Sequence, residues 1–467
     1  MSTGLIVLIV VSLLIALLML ETHVAFALAT SGAIGILLLR GPDLTLATLG
    51  NVPYDVTSNY SLVIIPLYVL LGMFALHGKL AERVYATAGR LLRFLPGGLG
   101  IATVAACTGF SAVSGSSVAT AASLGKLSVA EMTKAGYRPH FATGIVAIAG
   151  TLGILIPPSV ALVMYGVLAR ESIAELLVAG IIPGLLSAAA YAVYVGIRAR
   201  ALIDEPTESL ASALAHAGGG SRQPVASGPQ AGTAHTDTTK SPQPTAFQQT
   251  RALLWIGGIA AAIVIGLFTG LFTVIESAAI GALVALVMLL VENTRLGLLR
   301  VARTAKGAFL EAAGISSMVF ALVVGAGVFS AFLVMARVPM NFANWVAAVD
   351  VPPSLIVVLI LLAILPLGMF LDPLAIIVIV VPLVHPAVTT LGFDGVWFAV
   401  LFVMLLEIGL VTPPVGINTF VVSMTSGVKV EAVFRGVLPL VAVSLGMVAV
   451  VFLFPQLSLW LPSVVVQ

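Results

Sequence analysis

The sequence predicts an all-α polytopic membrane protein with about eleven transmembrane helices and two re-entrant hairpins, arranged as an inverted repeat. Hydrophobic residues make up 60% of the chain and charged residues only 9%, whereas about a quarter of a soluble domain is charged. Several apolar runs exceed about 18 residues, which is enough to cross a bilayer. Two of these runs carry the same interruption at matching positions of two related halves.

The two interrupted runs are predicted to be broken membrane helices. The run 139–169 contains Thr151–Ser159 (TLGILIPPS), and the run 396–423 contains Glu407–Val415 (EIGLVTPPV). Each has a glycine and two adjacent prolines, which remove backbone donors and clash with the preceding helical turn. Opened backbone at this depth persists only inside protein or beside a polar cavity. Two broken helices in corresponding positions therefore indicate the binding site of a transporter.

One register relates the two halves. An offset of 256 residues carries Gly153 onto Gly409, and no gap is needed from about residue 110 to residue 184. The same offset pairs further landmarks, which are Gly136-Tyr137 with Gly392-Phe393, Pro157-Pro158 with Pro413-Pro414, Glu175 with Glu431, Gly180 with Gly436, and Pro183 with Pro439. Chance would rarely keep one ungapped register in this way. We therefore predict a first repeat at 1–200 and a second at 251–467.

The first repeat is predicted to contain a re-entrant hairpin before its broken helix. The segment 97–131 reads as two short apolar helices around the polar tip Ser114–Ser117. Residues 79–95 carry basic residues at helical spacing among Leu and Val, which is typical of an interfacial amphipathic helix. The other spans of this repeat are predicted near 4–20, 23–39, 61–77 and 173–197.

The second repeat follows a segment of different composition. Residues 201–250 are rich in Gly, Pro, Ser, Thr and Gln, which predicts a disordered linker. The second hairpin, 353–391, is interrupted at Gly368–Pro373, where Asp372 corresponds to Ser116 of the first tip. The other predicted elements are spans near 252–270, 273–291, 307–335 and 434–455 and an Arg-rich amphipathic piece at 294–306.

The distribution of basic residues predicts the orientation. An odd number of crossings separates Gly136 from Gly392, so the repeats should be inverted in the membrane. This layout places every Lys and Arg except Arg40, Arg170 and Arg337 on one side, which the positive-inside rule assigns to the cytoplasm. We therefore expect a periplasmic N-terminus, a cytoplasmic linker, and hairpins that open to opposite sides.

The hairpin tips and the helix breaks form the candidate binding site. Helix N-termini at a tip present free N–H groups and positive dipole ends, which suit a substrate carboxylate. Unwound turns expose carbonyl oxygens, which suit Na⁺. Side-chain oxygens could come from Ser114, Ser116, Ser117, Thr412 and Asn418. In the alternative interpretation, the prolines only kink helices and the serines bond their own backbone, but the duplication favours a site.

Acids in the apolar stretches are further candidates. Asp372 lies in the middle of the second interrupted segment, and an ionisable residue at that depth indicates a function. It can also cap a helix that starts at Pro373, and the two roles are compatible. Glu276 and Glu407 have no matching acid in the other half, and each could pair with a helix end or act in the site. His385 is expected to pack rather than to bind a ligand.

Five stretches closely resemble the large membrane subunit of TRAP (tripartite ATP-independent periplasmic) transporters. They are SGSSVATAASLGKL, AGY, TLGILIPPS, AGIIPG and VTPPVGIN, and the resemblance covers nearly the whole chain outside the linker. It implies a Na⁺-driven symporter of the bacterial inner membrane for an organic acid such as a dicarboxylate, with an elevator-like transport domain and two or more coupling Na⁺ ions. It also implies two partners, a small membrane subunit on a separate chain and a periplasmic substrate-binding protein.

The resemblance and the motifs together indicate binding residues. For Na⁺ at the first tip and break we expect Ser114, Ser116, Gly153, Ile154 and Pro157. For Na⁺ at the second we expect Gly368, Asp372, Gly409, Val411, Thr412 and Pro413. For the substrate we expect Ser116, Ser117, Ser159, Asp372 and Asn418. A departure from the family pattern, Ala130-Glu131-Met132 where members usually carry Pro before Met, lies outside this site.

Two other function classes remain open besides this one. A stand-alone Na⁺- or H⁺-coupled anion transporter of the same architecture would need no binding protein, and a neighbouring gene for such a protein would discriminate. An enzyme is not expected, because the sequence shows no Ser/His/Asp set, paired acids or HExxH motif. The single cysteine, Cys107, excludes an internal disulfide. Which organic acid is carried stays open.

Shortening the linker tests the predicted layout. We expect that deleting about 30 residues from the middle of 201–250 leaves uptake by whole cells intact, because a polar linker of this composition acts as a flexible tether. A cysteine introduced at Ser227 should be protected from a membrane-impermeant reagent added on the periplasmic side. Labelling of that cysteine from the periplasm would contradict the cytoplasmic assignment.

Overall fold

The computed structural model of the chain describes residues 2–202, 246–268, 272–294 and 297–465. This described part is built from helices and contains no strand. The predicted linker 201–250 lies almost entirely outside the described residues. The fold is all-α, as the sequence predicts.

The first half contains eleven α-helices within its described residues. A 3₁₀ turn at Tyr60–Val63 leads into the fourth helix, and another at Leu152–Ile154 follows the eighth. The helices are α1 (Thr3–Met19), α2 (Val24–Arg40), α3 (Pro42–Thr57), α4 (Ile64–His77), α5 (Leu80–Leu92), α6 (Gly98–Ser114), α7 (Ser117–Lys134), α8 (Pro139–Thr151), α9 (Val160–Ala169), α10 (Ile173–Ala179) and α11 (Ile181–Leu202).

The second half contains ten α-helices within its described residues. They are α12 (Ala246–Phe268), α13 (Val274–Asn293), α14 (Leu298–Met335), α15 (Val338–Ala348), α16 (Pro353–Phe370), α17 (Pro373–Thr390), α18 (Gly395–Gly409), α19 (Ile417–Ser426), α20 (Val430–Leu453) and α21 (Gln456–Val465). The hairpins are therefore α6–α7 and α16–α17, and the broken helices are α8–α9 and α18–α19.

The helix boundaries of the two halves follow the 256-residue offset. Helices α3 and α14 each begin directly after a glycine of positive φ, +86° at Gly41 and +87° at Gly297. Helices α7 and α17 span 117–134 and 373–390, the same 18 positions of the repeat. The main difference is that the separate helices α3 and α4 correspond to the single long helix α14. The register found in the sequence thus extends back to residue 41.

Some predicted elements are merged, and others are added. Helix α5 lies within the predicted amphipathic segment 79–95, whereas the predicted pieces 294–306 and 307–335 form one continuous helix, α14. The apolar runs do not predict α3, α15 or α21. Helix α3 carries Asp43 and Asp55, so no apolar run marks it, and its start is instead favoured by a proline at the first helical position.

Many of the helices are long and apolar enough to cross a membrane. Within the described ranges, seven helical segments are long and apolar enough to cross a bilayer. They are Tyr60–His77, Ile173–Ala199, Val274–Asn293, Leu299–Met335, Pro353–Phe370, Pro373–Thr390 and Val430–Leu453. Shorter apolar helices accompany them, including both arms of the first broken helix. The fold is a polytopic membrane fold, while the count of about eleven crossings remains a prediction from span length.

Each hairpin packs against the broken helix of the other half. Helix α7 lies along α19, where a Cβ at Gly125 would stand 2.6 Å from the Thr425 hydroxyl oxygen. Helix α17 lies along α9 in the corresponding way. Helix α8 meets α20 so closely that a Cβ at Gly436 would stand 1.7 Å from the His140 carbonyl oxygen. The two halves therefore form one interleaved core.

The α8–α20 contact can be tested with a pair of glycine variants. We expect Gly436→Ala to lower the thermal stability of the purified protein in detergent, because overpacking of this kind costs about 1–3 kcal/mol. Gly446→Ala on the same helix is the matched control, because a Cβ there meets nothing within 4 Å. Equal melting temperatures for the two variants would contradict the close helix crossing.

Candidate functional site

The tip of the first hairpin is a short turn that leads into α7. Gly115 has a φ of +62°, and Ser116 is the N-cap of α7. The Ser116 hydroxyl accepts a hydrogen bond from the Ala119 N–H at 3.3 Å, while the Ser114 and Thr120 hydroxyls lie 2.8 Å apart. Sequence reasoning did not single out Thr120, although its position four residues after Ser116 is a helical spacing that could have indicated it.

This tip lies directly on the first helix break. A Cβ at Gly153 would stand 2.8 Å from the Ser116 carbonyl oxygen, and a Cβ at Gly115 would stand 2.5 Å from the Pro158 carbonyl oxygen. Both positions require glycine because the backbones of tip and break are in contact. The structure thus brings together Ser114, Ser116, Ser117 and Gly153, as the sequence predicts.

Ser159 connects the first break to α9. Its hydroxyl accepts a hydrogen bond from the Leu162 N–H at 3.1 Å and donates one to the Ile154 carbonyl. All residues from 151 to 159 are buried. The predicted ligand carbonyls of Gly153, Ile154 and Pro157 therefore lie inside protein, as opened backbone at membrane depth requires.

The second hairpin contacts the second break in a related way. Asp372 is the N-cap of α17, and its Oδ2 accepts a hydrogen bond from the Leu374 N–H at 3.0 Å. A Cβ at Gly409 would stand 2.5 Å from the Gly368 Cα, so two glycines again allow the backbones to touch. The structure thus places Gly368, Asp372 and Gly409 around one tip-to-break contact.

Hydroxyl groups hold the second break. The Thr412 hydroxyl donates to the Ile408 carbonyl at 2.5 Å, and the Thr419 hydroxyl donates to the Val411 carbonyl at 3.2 Å. Sequence reasoning did not single out Thr419, because the contact depends on how α19 folds back against the break. The predicted residues Val411 and Thr412 are therefore part of the hydrogen-bonded turn.

Asn418 has unused hydrogen-bonding capacity. Its side chain is fully buried, and neither Oδ1 nor Nδ2 has a hydrogen-bond partner within the described residues. A buried polar group left without a partner costs about 1–3 kcal/mol. A ligand with an acceptor and a donor, or a cation beside an acceptor, would satisfy this amide. The position therefore fits the predicted ligand contact.

The two breaks differ in exposure. The first break is buried throughout, whereas Pro413 and Pro414 of the second are exposed and Thr412 and Asp372 are partly exposed. The two repeats have the same backbone pattern, but only the second break reaches the surface of the chain.

Glu276 belongs to a helix start and not to the site. Its carboxylate Oε2 accepts a hydrogen bond from the Thr273 N–H at 2.7 Å, while its own N–H donates to the Thr273 hydroxyl. These reciprocal bonds form a capping box at the start of α13. Of the two roles that the sequence leaves open for Glu276, the structure shows pairing with a helix end.

His385 joins the second hairpin to the first half. The Tyr165 hydroxyl lies 3.0 Å from His385 Nδ1, and His385 Nε2 lies 3.2 Å from the Glu171 Oε1. Partial burial and the nearby Asp394 and Glu175 carboxylates raise the pKa of Glu171. The sequence predicts only packing here, because the Tyr165 and His385 partners are 220 residues apart in the chain.

The site combines helix N-termini with backbone and side-chain oxygen atoms. Each tip presents the N-terminus of a long helix, α7 or α17, and each break presents carbonyls and hydroxyls. The described residues contain no group of three or more His, Cys, Asp or Glu side chains that could hold a metal. Apart from the Asp372 carboxylate, the oxygen atoms at the two tips and breaks are those of backbone carbonyls and hydroxyl groups.

Comparison with known proteins identifies the family. The family described as "Tripartite ATP-independent periplasmic transporter, DctM component" matches residues 5–457. The C4-dicarboxylate TRAP transporter large permease protein DctM of Pseudomonas aeruginosa is 33% identical over 442 residues, which are 94% of each chain. The sialic acid TRAP transporter large permease protein SiaM of Vibrio cholerae is 31% identical over 407 residues, which are 87% of each chain.

A solved structure shares the fold. The crystal structure of the YdaH transporter of Alcanivorax borkumensis matches with a TM-score of 0.60 over 90% of each chain, at 16% sequence identity. The all-helical fold of the chain is consistent with the family match, which covers residues 5–457. The chain belongs to the tripartite ATP-independent periplasmic transporter family, as its DctM component, the large permease subunit.

Proposed function

We propose that this large permease subunit takes up an organic acid in symport with Na⁺. The observation that carries the proposal is the contact of each hairpin tip with the break of its own half. This contact places the N-termini of α7 and α17 beside two sets of opened backbone in one core. The N-terminus of α7, which the neutral Ser116 caps, favours a substrate carboxylate, whereas Asp372 caps α17, and unwound carbonyls favour Na⁺.

The substrate contacts combine neutral donors with one acid. Ser116 and Ser117 lie at the start of α7, and the Ser159 hydroxyl donates to the Ile154 carbonyl of the first break. Asn418 has an amide without a hydrogen-bond partner among the described residues. Asp372 would accept a hydrogen bond from a substrate hydroxyl or attract a cation, because a substrate carboxylate beside it would be repelled. The two relatives above are named for C4-dicarboxylate and for sialic acid, so the carried acid varies within the family.

Coupling Na⁺ ions would bind at the two tip-to-break contacts. The first contact offers Ser114, Ser116, Gly153, Ile154 and Pro157. The second offers Gly368, Asp372, Gly409, Val411, Thr412 and Pro413. The Ser114 and Thr412 hydroxyls already lie within these turns, so an ion could bind without the movement of a long side chain.

The family defines the assembly. Large permease subunits of this family work with a small membrane subunit and a periplasmic binding protein. The chain is a multi-pass protein of the bacterial inner membrane, and its family is one of transporters and not of enzymes. Within this assembly we propose a periplasmic N-terminus, a cytoplasmic segment 201–250, and elevator-like movement of the interleaved core that holds both hairpins.

Uptake into proteoliposomes tests the coupling. With both membrane subunits reconstituted and the loaded binding protein outside, we expect uptake only under an inward Na⁺ gradient, because the candidate ligands are hard oxygens, all neutral except the Asp372 carboxylate. Thermal-shift screening of the binding protein against organic acids would supply the substrate. Equal uptake under a proton gradient without Na⁺ would contradict Na⁺ coupling and favour the H⁺-coupled alternative.

Asp372→Asn tests the second tip. The substitution keeps the shape of the N-cap, so membrane expression should be normal, but it removes the charge. Loss of a charge-assisted contact typically costs about 1.5–3 kcal/mol, so we expect about ten- to a hundred-fold weaker apparent affinity for Na⁺ or substrate in uptake assays. Asp372→Ala should be worse in both expression and uptake, because it also removes the cap.

Asp394→Asn is the matched control for this experiment. Asp394 also caps a helix, since its Oδ1 accepts hydrogen bonds from the Val396 and Trp397 N–H groups at 2.8 and 2.9 Å, but it lies at the start of α18, away from the tip. We expect this control to transport as the wild type does. If Asp372→Asn also transports at the wild-type rate across Na⁺ and substrate concentrations, Asp372 is only a helix cap.

A further inference from the structure

Glu407 is a buried acid whose Oε1 has no hydrogen-bond partner among the described residues. It lies in the last turn of α18, two residues before Gly409, and only 3% of the residue is exposed. Its Oε1 is buried without a hydrogen-bond partner, and no Lys, Arg or His within the described ranges forms an ion pair with it. A carboxylate in this position needs some other group to balance it.

Three other acids in or beside the apolar helices, Asp372, Glu276 and Glu292, do have partners. Asp372 and Glu276 cap helices, as described above. Glu292 is also nearly buried, but it forms ion pairs with Arg83 and Arg251 and accepts a hydrogen bond from the Trp255 indole N–H at 3.0 Å. Among the described residues, Glu407 therefore differs from these three acids, because its buried Oε1 has no hydrogen-bond partner.

The repeat shows that the backbone does not require an acid at this position. The 256-residue offset pairs Glu407 with Thr151, which is equally buried at the end of α8. The Thr151 hydroxyl donates to the Ile148 carbonyl at 2.8 Å and so satisfies itself within its own helix. A neutral residue therefore fits the same turn, and Glu407 adds an ionisable group that folding alone does not explain.

The surroundings of Glu407 favour a cation. The residue lies at the C-terminal end of α18, where the helix dipole contributes negative potential. Tyr191 of α11 lies within electrostatic range of Glu407, and its hydroxyl lies 2.7 Å from the Ser444 hydroxyl of α20. Because Ser444 donates to the Leu440 carbonyl, Tyr191 donates to Ser444, and the Tyr191 oxygen keeps lone pairs for a further partner.

We propose that the Glu407 carboxylate binds a monovalent coupling cation at the end of α18, on the side of the second broken helix that faces Tyr191. The inference rests on the proposed Na⁺-coupled transport and adds a charged ligand to it. A cation here would balance the buried carboxylate when the site is loaded. Its departure would leave the charge unbalanced, which would link ion release to a rearrangement around the second break.

A Na⁺ titration without transport tests this assignment. The permease would be purified with its small subunit, and its melting temperature measured against NaCl at constant pH, with choline chloride keeping the ionic strength constant. We expect Na⁺ to stabilise the wild type. Glu407→Gln should raise the half-saturating Na⁺ concentration about ten- to a hundred-fold, the usual effect of losing one charged ligand. Glu276→Gln is the matched control and should keep the wild-type midpoint.

Glu407→Thr provides a second variant in case the glutamine is not tolerated. This variant carries the residue that the first half has at the equivalent position, Thr151, whose hydroxyl donates to a carbonyl of its own helix. The Na⁺ midpoint of Glu407→Thr should shift as that of Glu407→Gln does. An unchanged midpoint in either folded variant, beside a wild type that responds to Na⁺, would overturn the assignment and leave the proposed function standing. A wild type that gives no Na⁺ response here and no Na⁺-dependent uptake would overturn both.

Discussion

The structure depends on one constraint, which is that backbone opened at membrane depth must lie against protein or beside a polar cavity. Two proline pairs open α8–α9 and α18–α19, and a hairpin tip covers each opening. The cover is close because glycines meet backbone at both contacts: Gly153 lies against Ser116, and Gly409 lies against Gly368. A side chain at any of these glycines would separate the tip from the break and expose unsatisfied carbonyls.

The same constraint explains why the halves are interleaved. A tip covers the break of its own half, but the second helix of each hairpin packs against the broken helix of the other half, α7 against α19 and α17 against α9. The contact of Tyr165 with His385 and the close crossing at Gly436 belong to this arrangement. A movement of either hairpin would therefore also displace the broken helix of the other half.

Within this symmetric backbone the two sites differ in charge. The first half has Ser116 at its tip and Thr151 at the end of α8, whereas the second half has Asp372 and Glu407 at the equivalent positions. The first break is buried, and the second reaches the surface. Duplication thus gives two copies of one scaffold, and substitution at a few positions gives the second copy two acids that the first copy lacks.

The sequence by itself determined the elements that depend on local chemistry. Proline pairs, Gly-rich tips and apolar runs act over a few residues, so the broken helices, the hairpins and the 256-residue register could all be predicted. Helix α3 could not, because its sequence is not apolar, and the contacts that join residues far apart, such as Thr419 with Val411 or Tyr165 with His385, depend on packing. The different surroundings of Glu276 and Glu407 follow from tertiary packing. Both are acids in apolar stretches, but a cap needs an adjacent helix start, which Glu276 has, whereas burial and the absence of a described partner depend on every helix packed around Glu407.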